Sequence, residues 1–132
     1  MNQAGDILIF TKDENRRLTV HFTVDEFRCP CCGIAIVTLP LLRLLERLRD
    51  LVGEPLIITS GYRCPKHNAE VGGAPDSLHM AGCAADIRCD AVEPRKLAQL
   101  AGRVGFFGVL VYKDGHVHVD TRNAPLVRLD PA

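Results

Sequence analysis

The sequence predicts an α+β fold: a small, mainly antiparallel sheet with two helices packed against it. Two segments carry leucines at helical spacing, several short apolar runs have strand length, and an Asp-Gly pair joins the last two runs. At 132 residues, 47% hydrophobic and 24% charged, the chain fits one soluble domain over 1–132 with a real core. Its 16 basic residues balance 16 acidic ones, which leaves no electrostatic footprint for nucleic acid or an anionic membrane surface. No window approaches the ~18 uninterrupted apolar residues of a membrane span. Met1 to Asp6 shows no basic stretch before a long apolar run, so no secretory leader is read and a cytoplasmic origin is expected.

In chain order, Ile7–Phe10 and Leu18–Phe22 read as short strands, and Thr23 precedes a helical turn, Val24–Phe27. Cys29-Pro30-Cys31-Cys32-Gly33 reads as a tight, knuckle-like turn. The first helix runs from about Leu39 to Val52, with Thr38 as cap, Pro40 in the first turn and Gly53 as stop. Leu41, Leu44, Leu45, Leu48 and Val52 form its core-facing stripe. Leu56–Thr59 reads as a buried strand. Gly61 to Gly82 is Gly-rich with little periodicity, a loop whose length marks it as functional. The second helix is placed from about Ala91 to Val104, with Asp90 and Glu93 as a capping box and Leu97, Leu100, Ala101 and Val104 buried. The end of the chain is a hairpin: Phe107–Tyr112, a turn at Lys113-Asp114-Gly115, and His116–Asp120 returning.

That return strand carries the sharpest chemical signal. Alternate strand residues share a face, so Val117 and Val119 point to the core while His116, His118 and Asp120 gather opposite. Two imidazoles and a carboxylate are donor types that zinc takes. Upstream, His79 ends the Gly-rich loop, and Asp86 sits between Ala85 and Ile87 in a likely strand where an unpaired carboxylate would be costly. His79, Asp86 and His118 together would leave a fourth zinc position open, as a catalytic site requires.

The blocks Ser60-Gly61-Tyr62-Arg63, His67-Asn68, Val71-Gly72-Gly73-Ala74, Ser77-x-His79-x-x-Gly82-x-x-Ala85-Asp86 and His118-Val119-Asp120 resemble the zinc D-alanyl-D-alanine carboxypeptidase family. The resemblance covers about residues 22 to 122. It implies a hedgehog-like zinc peptidase fold, one catalytic zinc on His79, Asp86 and His118, and hydrolysis of peptide bonds in peptidoglycan stem peptides, as a D,D-carboxypeptidase or an endopeptidase. Arg63 matches the arginine that stabilises an oxyanion or holds a substrate carboxylate. Ser77 is expected to hydrogen-bond substrate, and Tyr62 either to line the cleft or to pack in the core. For the general base, Asp114 and His116 both stand near the last ligand, and His116 is preferred on its strand face. Asp120 either orients a ligand histidine or pairs with Arg122 or Arg63.

The resemblance further implies a bacteriophage or prophage enzyme of the endolysin kind, made in the cytoplasm and acting on the cell wall. The rival class is a zinc-bearing peptidoglycan-binding or phage structural module without turnover, and His116 as a usable base favours the enzyme. The cysteines keep three readings. Cys29-x-x-Cys32 and Cys64-x-x-His67 are each spaced as half of a zinc knuckle and together make a closed structural site. Cys32 and Cys64 alternatively form a disulfide, or all remain free thiols, with Cys83 a packing residue.

Overall fold

The computed structural model describes residues 6–131; Met1–Gly5, read above for a leader, lie outside them. Strand β1 (Ile7–Phe10) pairs antiparallel with β2 (Ala35–Thr38) in a two-stranded ribbon. A five-stranded sheet takes β3 (Ile57–Ser60), β4 (Ala84–Arg88), β5 (Gly108–Val111), β6 (Val117–Asp120) and β7 (Leu126–Arg128) in the order β3-β4-β6-β5-β7. Its pairings are antiparallel except β5 with β7, which makes the sheet mixed. The α+β expectation holds, with one parallel pair added at the edge.

Helix α1 (Leu39–Val52) stops at Gly53, whose φ of 75° places it in the left-handed region as its N–H reaches back to the Arg49 carbonyl. Helix α3 (Pro94–Val104) packs on α1 and on β5. Leu41, Leu42, Leu45 and Leu48 of α1 share one core with Leu97, Ala98, Leu100 and Ala101 of α3. The sheet contributes Ala85, Ile87, Val109, Val111, Val117 and Val119 to the same core. One face of the sheet is thus sealed, and only the other is left for chemistry. Among the described residues no helix is long and apolar enough to cross a membrane.

Four expectations need correction. Leu18–Phe22 is no strand: the N–H groups of Leu18 and Thr19 both donate to the Phe22 carbonyl, closing a turn that leaves a single bridge, Arg17 to Thr23. The second helix starts at Pro94 with Glu93 as its cap residue, because Asp90 turns its carboxylate to Arg88 Nε at 3.1 Å and Val92 N–H bonds the Cys89 carbonyl. Thr38 stands at the α1 cap but does not cap it. Its hydroxyl and N–H both donate to the Gly82 carbonyl, at 2.9 and 3.0 Å, and tie the functional loop to the ribbon. That loop is also more ordered than its composition implies, since it holds α2 (Pro65–Glu70) and a 3-10 turn, Leu78–Ala81. Strands β2 and β7 have no counterpart in the expectations; β7 is exposed at all three positions and so lacks the alternation that marks a half-buried strand.

Candidate active site

Strands β4 and β6 lie side by side in a register that sets Asp86 directly opposite His118. Pleating sends Ala85, Ile87, Val117 and Val119 into the core and leaves Asp86, His118 and Asp120 on the open face. His79 arrives from outside the sheet, on the 3-10 turn Leu78–Ala81. Ser77 Oγ accepts the His79 N–H at 3.2 Å, and Gly82 closes the turn at a φ of 73°. A side chain at Gly82 would place Cβ 2.7 Å from the Ile36 carbonyl, so glycine is required for both conformation and space.

Three donors meet here in a nearly equilateral triangle. His79 Nε2 is 3.2 Å from Asp86 Oδ1 and 3.3 Å from His118 Nδ1, and His118 Nδ1 is 3.2 Å from Asp86 Oδ1. Ligands about 2.0 Å from a tetrahedral zinc stand about 3.3 Å apart, so the spacing is that of a zinc donor set. The outer partners of both rings sharpen the test. His79 Nδ1 lies 2.8 Å from the Gly61 carbonyl, which can only accept, so Nδ1 bears the hydrogen and Nε2 offers its lone pair. His118 Nε2 lies 2.7 Å from Asp120 Oδ2, which likewise leaves the lone pair on Nδ1. Three lone pairs therefore converge, and only positive charge can sit among them. The residues fit a divalent zinc.

The charges agree. Burial would raise the Asp86 carboxyl, but the facing rings of His118 and His79, which donate to it once a proton sits on the facing nitrogen, outweigh burial and hold the group far below the usual carboxylate range. Burial works against a positive His118, and its bonds to Asp120 and Asp86 prevail and raise its pKa. Both shifts show a cluster that favours positive charge.

Around the triangle, Asp120 is 0% exposed, and its carboxylate accepts four hydrogen bonds. They come from His118 Nε2 at 2.7 Å and from Arg122 Nε, Nη2 and N at 2.8, 2.6 and 3.1 Å. Asp120 thus pairs with Arg122 and not with Arg63, and it also bonds the His118 ring. Gly108, opposite Asp120 across β5–β6, makes the room: a Cβ there would stand 2.0 Å from Asp120 Oδ1.

Arg63 bonds Asp86 Oδ2 at 3.1 Å through Nη2, Asn68 Oδ1 at 3.3 Å through Nη1 and Ser60 Oγ at 3.2 Å through Nε. His116 lies just before β6, with Nδ1 2.5 Å from Asp114 Oδ1 and Nε2 3.7 Å from Asp86 Oδ2. Tyr112 stacks on its ring at 4.5 Å. A groove of about 640 Å³ opens over the triangle, lined by Arg63, Ser77, Tyr112, His116 and Arg122 among others. Tyr62 is not in it. The extended strap Gly61-Tyr62-Arg63 sends Arg63 to the groove and buries Tyr62 on the other side, near Cys29, Cys32 and Cys64, so the cleft-lining option falls away.

The sequence reading gave no role to Asn68, which is buried and holds both Arg63 and, through Nδ2, the Ala74 carbonyl at 2.8 Å. A side chain at Gly73 would collide with Asn68 Oδ1 at 2.1 Å, so the His67-Asn68 and Gly72-Gly73 blocks form one unit. The Gly61 carbonyl was invisible too, being backbone. Cys83 and Cys89 stand apart from the donor triangle, which draws only on His79, Asp86 and His118.

Three mixed nitrogen and oxygen donors at the floor of an open groove are the arrangement of a zinc hydrolase. A profile of the Peptidase M15 family matches residues 20–120, and the chain belongs to that family. The zinc D-Ala-D-Ala carboxypeptidase of Streptomyces albus G is 37% identical over 67 residues, 50% of this chain and 26% of that relative. The match thus spans about a quarter of the relative's length.

Proposed function

We propose that this chain is a zinc peptidase that hydrolyses D-alanyl peptide bonds in the stem peptides of bacterial peptidoglycan. The observation that carries the reading is the triangle of converging lone pairs of His79, Asp86 and His118 at the groove floor. Family membership and the substrate in the name of the Streptomyces albus G relative support the reaction and its substrate class. A hedgehog-like zinc peptidase core and action at the cell wall belong to the same reading.

When bound, zinc supplies Lewis acidity, which activates water at neutral pH and polarises the scissile carbonyl. The chain's own groups do the rest. His116 donates its Nδ1 hydrogen to Asp114, so Nε2 is free to take a proton from the attacking water and return it to the leaving amine. Asp114 accepts the His116 backbone N–H as well as its ring, and both bonds hold its carboxyl low, as an anion that steadies a protonated imidazole. Asp114 and His116, the two candidate bases, thus act as a pair. Arg63 uses three of its five N–H groups on the protein and keeps two for the developing oxyanion or a substrate carboxylate. Ser77, whose oxygen accepts from His79 N–H, keeps its hydroxyl hydrogen for substrate. Asp120 touches no groove and is a positioning residue for His118.

The test is incubation of the full chain with purified peptidoglycan and soluble stem peptides, with and without a zinc chelator, followed by mass spectrometry. Chelator-sensitive release of D-alanine marks a carboxypeptidase, and cleavage at a cross-link marks an endopeptidase. His79→Ala should lose both metal at this site and hydrolysis. Full activity in that variant, or no cleavage of walls from several hosts by zinc-loaded protein, overturns the proposal.

A further inference from the structure

A second group of potential metal donors lies outside the groove. The thiols of Cys29, Cys32 and Cys64 lie within 4.8 Å of one another, although Cys64 stands more than 30 residues beyond the other two. All three are free cysteines. Cys29 and Cys32 come from one tight turn, in which Gly33 N–H bonds the Cys29 carbonyl at 2.9 Å and Gly33 adopts a φ of 79°. Cys64 is the cap residue of α2.

Backbone donors converge on these sulfurs. Cys64 N–H points at Cys29 Sγ and His67 N–H at Cys64 Sγ, each at 3.4 Å. The N–H groups of Cys31 and Cys32 also face Cys29, and that of Ile34 faces Cys32. A neutral thiol is a weak acceptor, and such a set of donors suits a thiolate. Three thiolates packed this closely repel each other unless a soft cation is shared among them. Two ligands from a C-x-x-C turn and one from a helix start are three of the four that a structural zinc knuckle takes, and solvent is left to complete the fourth position.

We propose that Cys29, Cys32 and Cys64 bind a second, structural zinc ion as thiolates, releasing three protons to solvent as the three sulfur–zinc bonds form. His67 is not a fourth member of the cluster. Its ring, with the side chain 20% exposed, turns toward Glu70 with Nδ1 3.8 Å from Oε1.

The position of the cluster gives it a task. Tyr62 N–H donates to the Phe27 carbonyl at 2.9 Å, and Gly61 packs so closely on Phe27 that a Cβ would lie 2.5 Å from its Cα. The strap from Gly61 to Arg63, which orients His79 and carries the groove arginine, is therefore held at Phe27 and again one residue beyond Arg63, at Cys64. Zinc at the thiols clamps this strap to the N-terminal segment.

The experiment counts metal and reads no activity. The full chain, purified under reducing conditions, is loaded with zinc or cobalt and analysed for metal content and absorption. Wild type should hold two ions per chain and show the near-ultraviolet thiolate-to-cobalt charge-transfer band. His79→Ala should keep one ion and the whole band, whereas Cys29→Ser or Cys64→Ser should lose the band and one ion. Because the His79→Ala arm leaves the thiols untouched, misfolding of a cysteine variant does not blunt the test. One ion in wild type with none in His79→Ala overturns the proposal. So does an intact mass lower by two hydrogens with two of the three cluster thiols unreactive, which is the disulfide outcome.

Discussion

Replacing Asp120 by Asn keeps the volume of a fully buried side chain and changes only what its oxygens can accept. The carboxylate has about four lone-pair positions, and four donors occupy them. An amide keeps one acceptor oxygen, which in the place of Oδ2 still faces His118 Nε2 and Arg122 Nη2, but its two hydrogens then replace Oδ1 and meet the remaining Arg122 donors, N and Nε. Arg122, with its side chain 30% exposed, can turn to water, whereas His118 cannot. The amide oxygen therefore stays with His118 Nε2, and a charge-assisted bond becomes a neutral one of roughly half the strength. The metal-facing Nδ1 becomes a weaker donor, and zinc affinity should fall by about tenfold, or about 1.4 kcal/mol. Asp120→Ala, which leaves His118 without an acceptor, should approach a hundredfold loss, about 2.7 kcal/mol. Cobalt titration followed by ligand-field absorption reads this nitrogen–oxygen site separately from thiolate sites. An Asp120→Asn affinity within threefold of wild type would refute the argument that Asp120 sets the tautomer and basicity of His118.

Two further perturbations test the frame around the site. Gly82→Ala forces a side chain into the left-handed region and against the Ile36 carbonyl; it should cost about 2–4 kcal/mol and lower Tm by roughly 10 °C in a thermal melt. An unchanged Tm would mean that the turn behind His79 is less constrained than its contacts imply. Glu46 is a pH-dependent element: burial raises its carboxyl, but bonds from the Thr19 hydroxyl and from the His21 ring and N–H prevail and lower it below its ordinary 4.5. A depressed folded pKa stabilises the protein above pH 4.5 and ceases to do so as pH falls through the folded value. Glu46→Gln should accordingly flatten the acid limb of urea-unfolding stability between about pH 5 and pH 3, by about 1 kcal/mol, and an unaltered limb would contradict it.

The features legible in the sequence were those with a period. Leu41, Leu45 and Leu48 repeat at helical spacing, and Val117 and Val119 alternate with His118 and Asp120, so both elements and the faces they bury follow from the residues alone. The six residues of α2 are too few to display a helical repeat, and Gly72 and Gly73 behind them read as loop. The start of α3 was misplaced because Asp90 and Glu93 have capping-box spacing, while Arg88, invisible to that pattern, draws Asp90 away. In the site, the three converging donors belong to motifs that can be seen in sequence. Their supports cannot: Gly61 acts through a carbonyl, Gly108 through the absence of a side chain, and Asn68 through a contact with Arg63 that requires α2 to exist.

Asp86 and His118 face each other across two strands that are not consecutive in the chain, and His79 joins them from a separate turn. An unfolded chain scatters the three over 40 positions and has no comparable affinity for a metal ion. Zinc held there, as proposed, would therefore bind the native state alone, and each tenfold rise in free zinc above the dissociation constant would add about 1.4 kcal/mol to the unfolding free energy. On the proposed zinc site, the durability of this protein would be set by the zinc concentration of its surroundings as well as by its core, and the same chain should be measurably more fragile wherever zinc is scarce.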